Sequence, residues 1–288
     1  MAASDSDPPD TPLRSPGLPT RRLGRAGPEL PVLGLGTWRR FDLPPRREHL
    51  AHQIVEHALD LGVRAFDTAP VYGRAEQVLA NALRSRRAEA FVATKIWAGD
   101  AGEGRRQLDR QLQLFGGRVD LLQIHHLIGW RNHLDWLAEA REQGLIRLIG
   151  VSFWQDGAFG GGTTSDLRAA IRSGVIDVVQ VPVNPLERRM EDRVLPLAKE
   201  HGTGVIAMRP FAEGALLPGP PPDRLAETGS PDYAHALLRW TLGDPRVHLA
   251  IPATLDPAHL DANAAAVRAA PLTGEQRHAV ARLARRSG

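Results

Sequence analysis

Arg64-Ala65-Phe66-Asp67-Thr68 follows a stretch in which Leu50, Ile54 and Ala58 recur at i, i+4 and i+8, and which runs into Gly62. That interval marks one face of an amphipathic helix. A glycine after it suits the left-handed residue that closes many helices. The same unit recurs along the chain. Apolar runs stand at Pro31–Gly36, Arg64–Thr68, Ala90–Lys95, Asp120–His125, Arg147–Ser152, Asp177–Pro182, Gly204–Met208 and Val247–Pro252, eight in all. Between them lie helical patterns such as Val78, Leu79, Ala82 and Leu83, and Gly62, Gly116, Gly144, Gly174, Gly202 and Gly243 precede strands. Strands alternating with helices predict a parallel sheet. Eight such units, with strands rich in Val, Ile and Leu, predict a closed (β/α)8 TIM barrel in a single domain.

Length and composition agree with this reading. A barrel of this kind commonly fills most of a chain of 288 residues, and 42% hydrophobic residues supply its core. Residues 1–20, which include Pro8, Pro9, Pro12, Pro16 and Pro19, read as a disordered N-terminal tail, leaving 21–288 for the barrel. No apolar run is long enough to span a membrane, and the first twenty residues lack the apolar segment of a signal peptide. Cysteine is absent, which excludes disulfides and thiolate metal sites and fits a cytoplasmic protein. The net charge of +3 is spread among interleaved acids and bases, so neither nucleic acid nor membrane is an expected partner.

Two connections are long. Residues 153–164, after the fifth strand, contain Gly160-Gly161-Gly162 and read as a flexible loop. Residues 211–230, after the seventh, are rich in proline. Both belong to the barrel end where active sites are built. No G-x-G-x-x-G follows a strand and opens a helix. His125-His126 lacks a third ligand at metal spacing, so no metal is expected. A last apolar pattern near 274–286 predicts a closing helix.

Polar residues at strand C-termini converge on one mouth of such a barrel. Asp67 ends the second strand, Tyr72 follows it, Lys95 ends the third and His125 the fourth. An isolated phenol is a poor acid at neutral pH, with a pKa of about 10. A nearby ammonium would lower that value, and a carboxylate would keep the ammonium charged inside the barrel. This reasoning makes Tyr72 a proton donor, Lys95 its tuner, Asp67 the holder of Lys95, and His125 a hydrogen-bonding group for a substrate oxygen. The chain has two lysines and two tyrosines among 288 residues, so either falls at a given position by chance in 2/288 of cases.

Leu33-Gly34-Leu35-Gly36-Thr37-Trp38, the Asp67 to Tyr72-Gly73 segment, Lys95, His125 and Ile149-Gly150-Val151-Ser152 together resemble the aldo-keto reductase superfamily over about residues 21–286. The resemblance implies hydride transfer from a reduced nicotinamide to an aldehyde or ketone, with Asp67, Tyr72, Lys95 and His125 as a catalytic tetrad. It also implies a cofactor held by Gly36, Thr37, Trp38 and Asp67 and clamped at its carboxamide by Ser152 and Gln180. Phe153 stands where the family usually has Asn. Met208, before Arg209 and Pro210, stands where many members place an aromatic ring. The pyrophosphate would lie near Phe211 to Gly214 and Ile251 to Thr254, and the adenosine near Pro257, His259 and Asn263. Many NADPH-selective members have Arg at the place of His259, so NADPH is favoured only slightly and NADH stays open. Trp38, Trp97, Trp130 and Trp154 would wall a pocket for an apolar or aromatic carbonyl compound. The resemblance is compatible with a monomer or weak homo-oligomer. Phe153 and Met208 also keep open a nicotinamide-binding regulatory subunit with little turnover, resembling channel-associated β subunits. A third reading, a barrel hydrolase or isomerase, predicts no nicotinamide binding.

Overall fold

A computed structural model of the chain describes residues 17–287. Strands β1 (Thr20–Arg22) and β2 (Glu29–Pro31) pair as an antiparallel hairpin. Eight further strands form one parallel sheet in chain order. They are β3 (Leu35–Gly36), β4 (Ala65–Asp67), β5 (Phe91–Ile96), β6 (Val119–Ile124), β7 (Ile146–Ser152), β8 (Val178–Pro182), β9 (Gly204–Met208) and β10 (Leu249–Ala250). Leu33 bridges to Ala250 and Gly36 to Ala253, so the last strand meets the first and the sheet closes. The fold is the (β/α)8 barrel that the eight apolar runs predict. β10 is shorter than its run. Pro252 has no N–H to donate, although its carbonyl accepts the Gly36 N–H at 2.9 Å.

Strand side chains alternate between faces. Ala65, Phe91, Ala93, Leu121, Leu148, Val178, Ile206 and Leu249 fill the barrel interior, joined by Leu23 and Leu30 of the hairpin segment. Phe66, Val92, Leu122, Ile149, Val179 and Val205 point the other way, into the larger core under the helices. Against that core the helix Glu48–Leu61 buries Ala51, Ile54, Val55, Ala58 and Leu59. Two residues beyond the interior set the same face comes round again. It presents Asp67, Lys95, Gln123, Gln180, Met208 and Ile251 toward the C-terminal edge of the sheet.

Three expectations need correction. The proline-rich composition predicts a tail as far as residue 20. Residues 1–16 lie outside the described residues, but 17–20 belong to the fold: Leu18 is buried, and the Pro19 carbonyl accepts the Val32 N–H at 2.9 Å. Five of the six strand-preceding glycines are left-handed, as Gly62 is at φ 93°, but Gly243 is not, at φ −68°. A Cβ at Gly243 would stand 2.9 Å from the Arg239 carbonyl oxygen, so close approach explains this glycine. The 153–164 connection is pinned rather than free. The Gly162 N–H donates to the His126 carbonyl at 3.0 Å, and the Thr163 and Asp166 side chains cap the helix Thr164–Arg172 reciprocally. The 211–230 connection carries a short helix, Pro222–Leu225, and the closing helix spans Gly274–Ser287. Among the described residues, no helix is long and apolar enough to cross a membrane.

Candidate active site

At the C-terminal end of the barrel lies a cavity of about 600 Å³. Asp67, Tyr72, Lys95 and His125 all line it. The Lys95 ammonium is fully buried and donates to Asp67 Oδ1 at 2.7 Å and to the Thr68 carbonyl at 2.8 Å. An ammonium has three N–H groups, so one remains uncommitted. Asp67 is braced from other strands: Gln180 Nε2 donates to Oδ1 at 3.3 Å and Gln123 Nε2 to Oδ2 at 3.2 Å. Behind Lys95, Gln111 donates to the Lys95 carbonyl at 2.7 Å and to Glu76 at 3.0 Å. A lone buried ammonium would be expensive, and this carboxylate makes it tenable.

The electrostatics correct one step of the sequence argument. Lys95 Nζ sits 5.3 Å from the centroid of the Tyr72 ring, over the ring, and is bonded to Asp67. Burial, followed by the Asp67 carboxylate, raises the phenol well above its ordinary value. The phenol is therefore held protonated through neutral pH and is not acidified in the resting site. Burial also lowers Lys95, against the pull of Asp67. His125 is pushed well below the usual imidazole range, first by burial and then by the Lys95 and His126 charges, so it is neutral. Its ring meets Tyr72 edge-on at 5.9 Å and Trp97 at 5.0 Å, and it stacks on His126 at 4.4 Å.

The cavity also takes in Gly36, Thr37, Trp38, Ser152, Gln180, Met208, Arg209, Pro210, Phe211, Gly214 and Ile251 from the expected cofactor set. Two of these residues have features that fit a carboxamide. Gln180 gives its amide N–H to the Asp67 carboxylate, which leaves its buried Oε1 as an acceptor with no partner. Ser152 Oγ accepts the His126 N–H at 3.0 Å, which leaves its own proton to donate. A nicotinamide carboxamide has both an NH2 and a carbonyl, so this donor set fits one. Thr37 Oγ1 is likewise buried without a partner at the cavity wall.

Phe153 does not face the cavity. It is buried in the outer core, whereas Ser152 and Gln180 line the cavity. Thr254, His259 and Asn263 stand outside the cavity, just beyond Ala253, which lines it. Thr254 Oγ1 and His259 Nδ1 are 3.4 Å apart, and the His259 side chain is 72% exposed. Trp130 is corrected as a pocket residue. It is buried away from the cavity, with Nε1 3.4 Å from Asp166 and the Arg131 guanidinium 4.2 Å from its ring. Trp38, Trp97 and Trp154 do line the cavity.

Three residues of the site, Gln123 behind Asp67 and His126 and Phe159 on the cavity wall, are absent from the residues singled out in the sequence. Gln123 was legible, because it falls between Leu121 and His125 at the two-residue period of a strand. His126 and Phe159 were not. They reach the cavity through left-handed backbone, at φ 51° and 54°, which no apolar period signals.

The chain matches the model of the aldo/keto reductase family over residues 32–223. It is 31% identical to an aldo-keto reductase of Mycobacterium sp. (strain KMS) over 255 residues, 82% of this chain and 83% of that protein. It is 29% identical to the methylglyoxal reductase DkgB of Escherichia coli O157:H7 over 265 residues, 88% of this chain and 93% of the relative. The fold superposes on that of an aldo/keto reductase from Klebsiella pneumoniae in complex with NADP and acetate, with a TM-score of 0.78 and 24% identity. That match covers 91% of this chain and 95% of the other. The chain belongs to the aldo/keto reductase family, a class of oxidoreductases that reduce carbonyl groups with hydride from NAD(P)H.

Proposed function

We propose that this chain reduces the carbonyl of a small aldehyde or ketone to an alcohol with NADPH, with Tyr72 as the general acid. The observation that carries this is the meeting, in one cavity, of the half-buried Tyr72 phenol, a carboxylate-held ammonium and the buried His125 imidazole. Ser152 and Gln180 would hold the carboxamide and Met208 would pack the nicotinamide face, with NADPH supplying the hydride when bound. His125 donates a hydrogen bond to the substrate oxygen and orients the carbonyl. As hydride adds to the carbonyl carbon, the C=O π pair moves to oxygen, which takes the Tyr72 proton. The tyrosinate left behind would be stabilised by the positive charge of Lys95, whose Nζ stands 5.3 Å from the ring centroid, so the ammonium acts on the product side of the transfer. Proton transfer of this kind contributes roughly 10²–10⁴-fold.

As part of this reading the chain works in the cytoplasm, as a monomer or weak homo-oligomer, without nucleic acid or membrane. The absence of cysteine supports the compartment, and the interleaved charge supports the lack of a nucleic-acid partner. NADPH is the cofactor this reading takes first, since two solved structures of the same fold, each 24% identical, are in complex with NADPH or NADP. The test is steady-state oxidation of NADPH and NADH with a panel of aldehydes. Turnover that is lost in Tyr72→Phe with cofactor affinity retained supports the proposal. Tight cofactor binding with no turnover on any carbonyl would favour the regulatory alternative.

A further inference from the structure

The described residues include five large apolar side chains that remain exposed, and four of them line this one cavity: Trp38 at 37%, Val71 at 46%, Leu217 at 49% and Phe159 at 62%. Exposed apolar side chains scattered singly over a surface need no explanation, but a cluster at the rim of a cavity marks a binding surface. Phe159 is the most exposed of the four, and its backbone is held at φ 54°. A left-handed conformation is unfavourable for a bulky residue.

The loop around Phe159 maintains that position. The Gly161 N–H donates to Ala158, the Gly162 N–H to the His126 carbonyl, and the Gly157 N–H to the Gly162 carbonyl. A Cβ at Gly161 would overlap the His126 carbonyl oxygen, so only glycine lets the loop lie this close to the β6 exit. The phenyl ring is delivered 5.1 Å from His126, 5.7 Å from Trp97 and 6.0 Å from Trp154, each of which lines the cavity. Trp97 also stands edge-on to His125. The aromatic surface therefore runs continuously from the tetrad to the solvent-exposed Phe159 ring.

Resting on the activity proposed above, we infer that Phe159 is a specificity-determining residue. It completes an aromatic wall with Trp97, His126 and Trp154 that selects aryl aldehydes and ketones over short aliphatic carbonyl compounds. A flat ring attached to the carbonyl carbon can lie along this wall while its oxygen stays at His125. It covers apolar surface that a three-carbon substrate leaves wet.

The experiment compares kcat/KM for 2-naphthaldehyde and methylglyoxal, with NADPH, in the wild type, Phe159→Ala and Phe159→Tyr. The wild type is expected to prefer the naphthaldehyde. Phe159→Ala is expected to reduce that preference about tenfold, mainly through KM, and Phe159→Tyr to retain it. A preference ratio that moves less than twofold in Phe159→Ala overturns the inference. Calorimetric titration of 2-naphthaldehyde into the same proteins separates this result from failure of the activity itself. If no carbonyl were turned over, the proposed reduction would fall. Loss of naphthaldehyde binding in Phe159→Ala would still support the wall, and unchanged binding would overturn it.

Discussion

The floor and the rim of the cavity are built on opposite principles. On the floor the charged groups have named partners: Lys95 with Asp67 and Thr68, and Asp67 with Gln123 and Gln180. Apart from Thr68, which follows β4, these residues come from β4, β5, β6 and β8 at the two-residue period that also places the interior leucines and valines. The rim combines exposed apolar side chains with the ion pairs of Arg39, Arg209 and Glu213, and it is carried on connections that leave the strands. There Arg39, Phe159, Arg209 and Glu213 all adopt positive φ without being glycine. The floor is fixed by sheet geometry and tolerates little change. The rim is fixed by loop conformation and can vary while the barrel stays intact. The proposed chemistry and the proposed substrate choice thus rest on separate parts of the molecule.

The largest test of that separation is Tyr72→Phe, which removes the transferable proton and leaves the ring. The rate constant kcat is expected to fall by about 10³-fold, within the range for general acids, with cofactor affinity changed little. Single-turnover NADPH oxidation and a fluorescence titration would show this, and near-normal kcat would remove Tyr72 from the role of acid.

Lys95→Met should damage both function and folding, because it leaves Asp67 as an uncompensated buried charge. Loss of one partner of a buried pair costs about 3–5 kcal/mol. Adding Asp67→Asn should recover much of that stability in urea titration but not the activity. Recovery of both would mean that the ammonium is structural only.

The third test is pH. Burial and the Lys95 charge lower His126 to about 4, and His125 is lowered too. The unfolded chain protonates these groups near their free value of about 6.5, so between 6.5 and 4 it binds more protons than the folded chain. Stability is therefore full above about 6.5 and is lost progressively as pH falls toward 4. A decrease in Tm of about 5 °C between pH 7 and pH 5 is expected, and His126→Phe should blunt it. An equally steep loss in that variant would assign the effect to other groups.

The smallest effect belongs to the rim ion pairs. Arg39 stands 3.9 Å from Glu213, with its side chain 67% exposed, and Arg209 lies 2.8 Å from the same carboxylate. Arg39→Ala should change unfolding stability by less than about 1 kcal/mol. A larger loss would show that the rim, like the floor, supports the fold.

The amino-acid sequence alone determined the eight strands, the closed parallel barrel and the four polar residues at its mouth. These follow from short-range regularities: the two-residue strand period, the helical period, and the positions of glycine. Scarcity helped, since lone lysines and tyrosines at such places stand out. Tertiary structure alone decided how those groups act on one another. Lys95 keeps the Asp67 partner that its position implies, but burial raises the Tyr72 phenol instead of lowering it, because desolvation depends on residues far apart in the chain. Tertiary structure also sent Phe153 and Trp130 into packing and brought Phe159 to the cavity. Which side of a loop faces solvent is set by backbone conformation and close contacts such as Gly161 on His126, and no local pattern in the sequence records these.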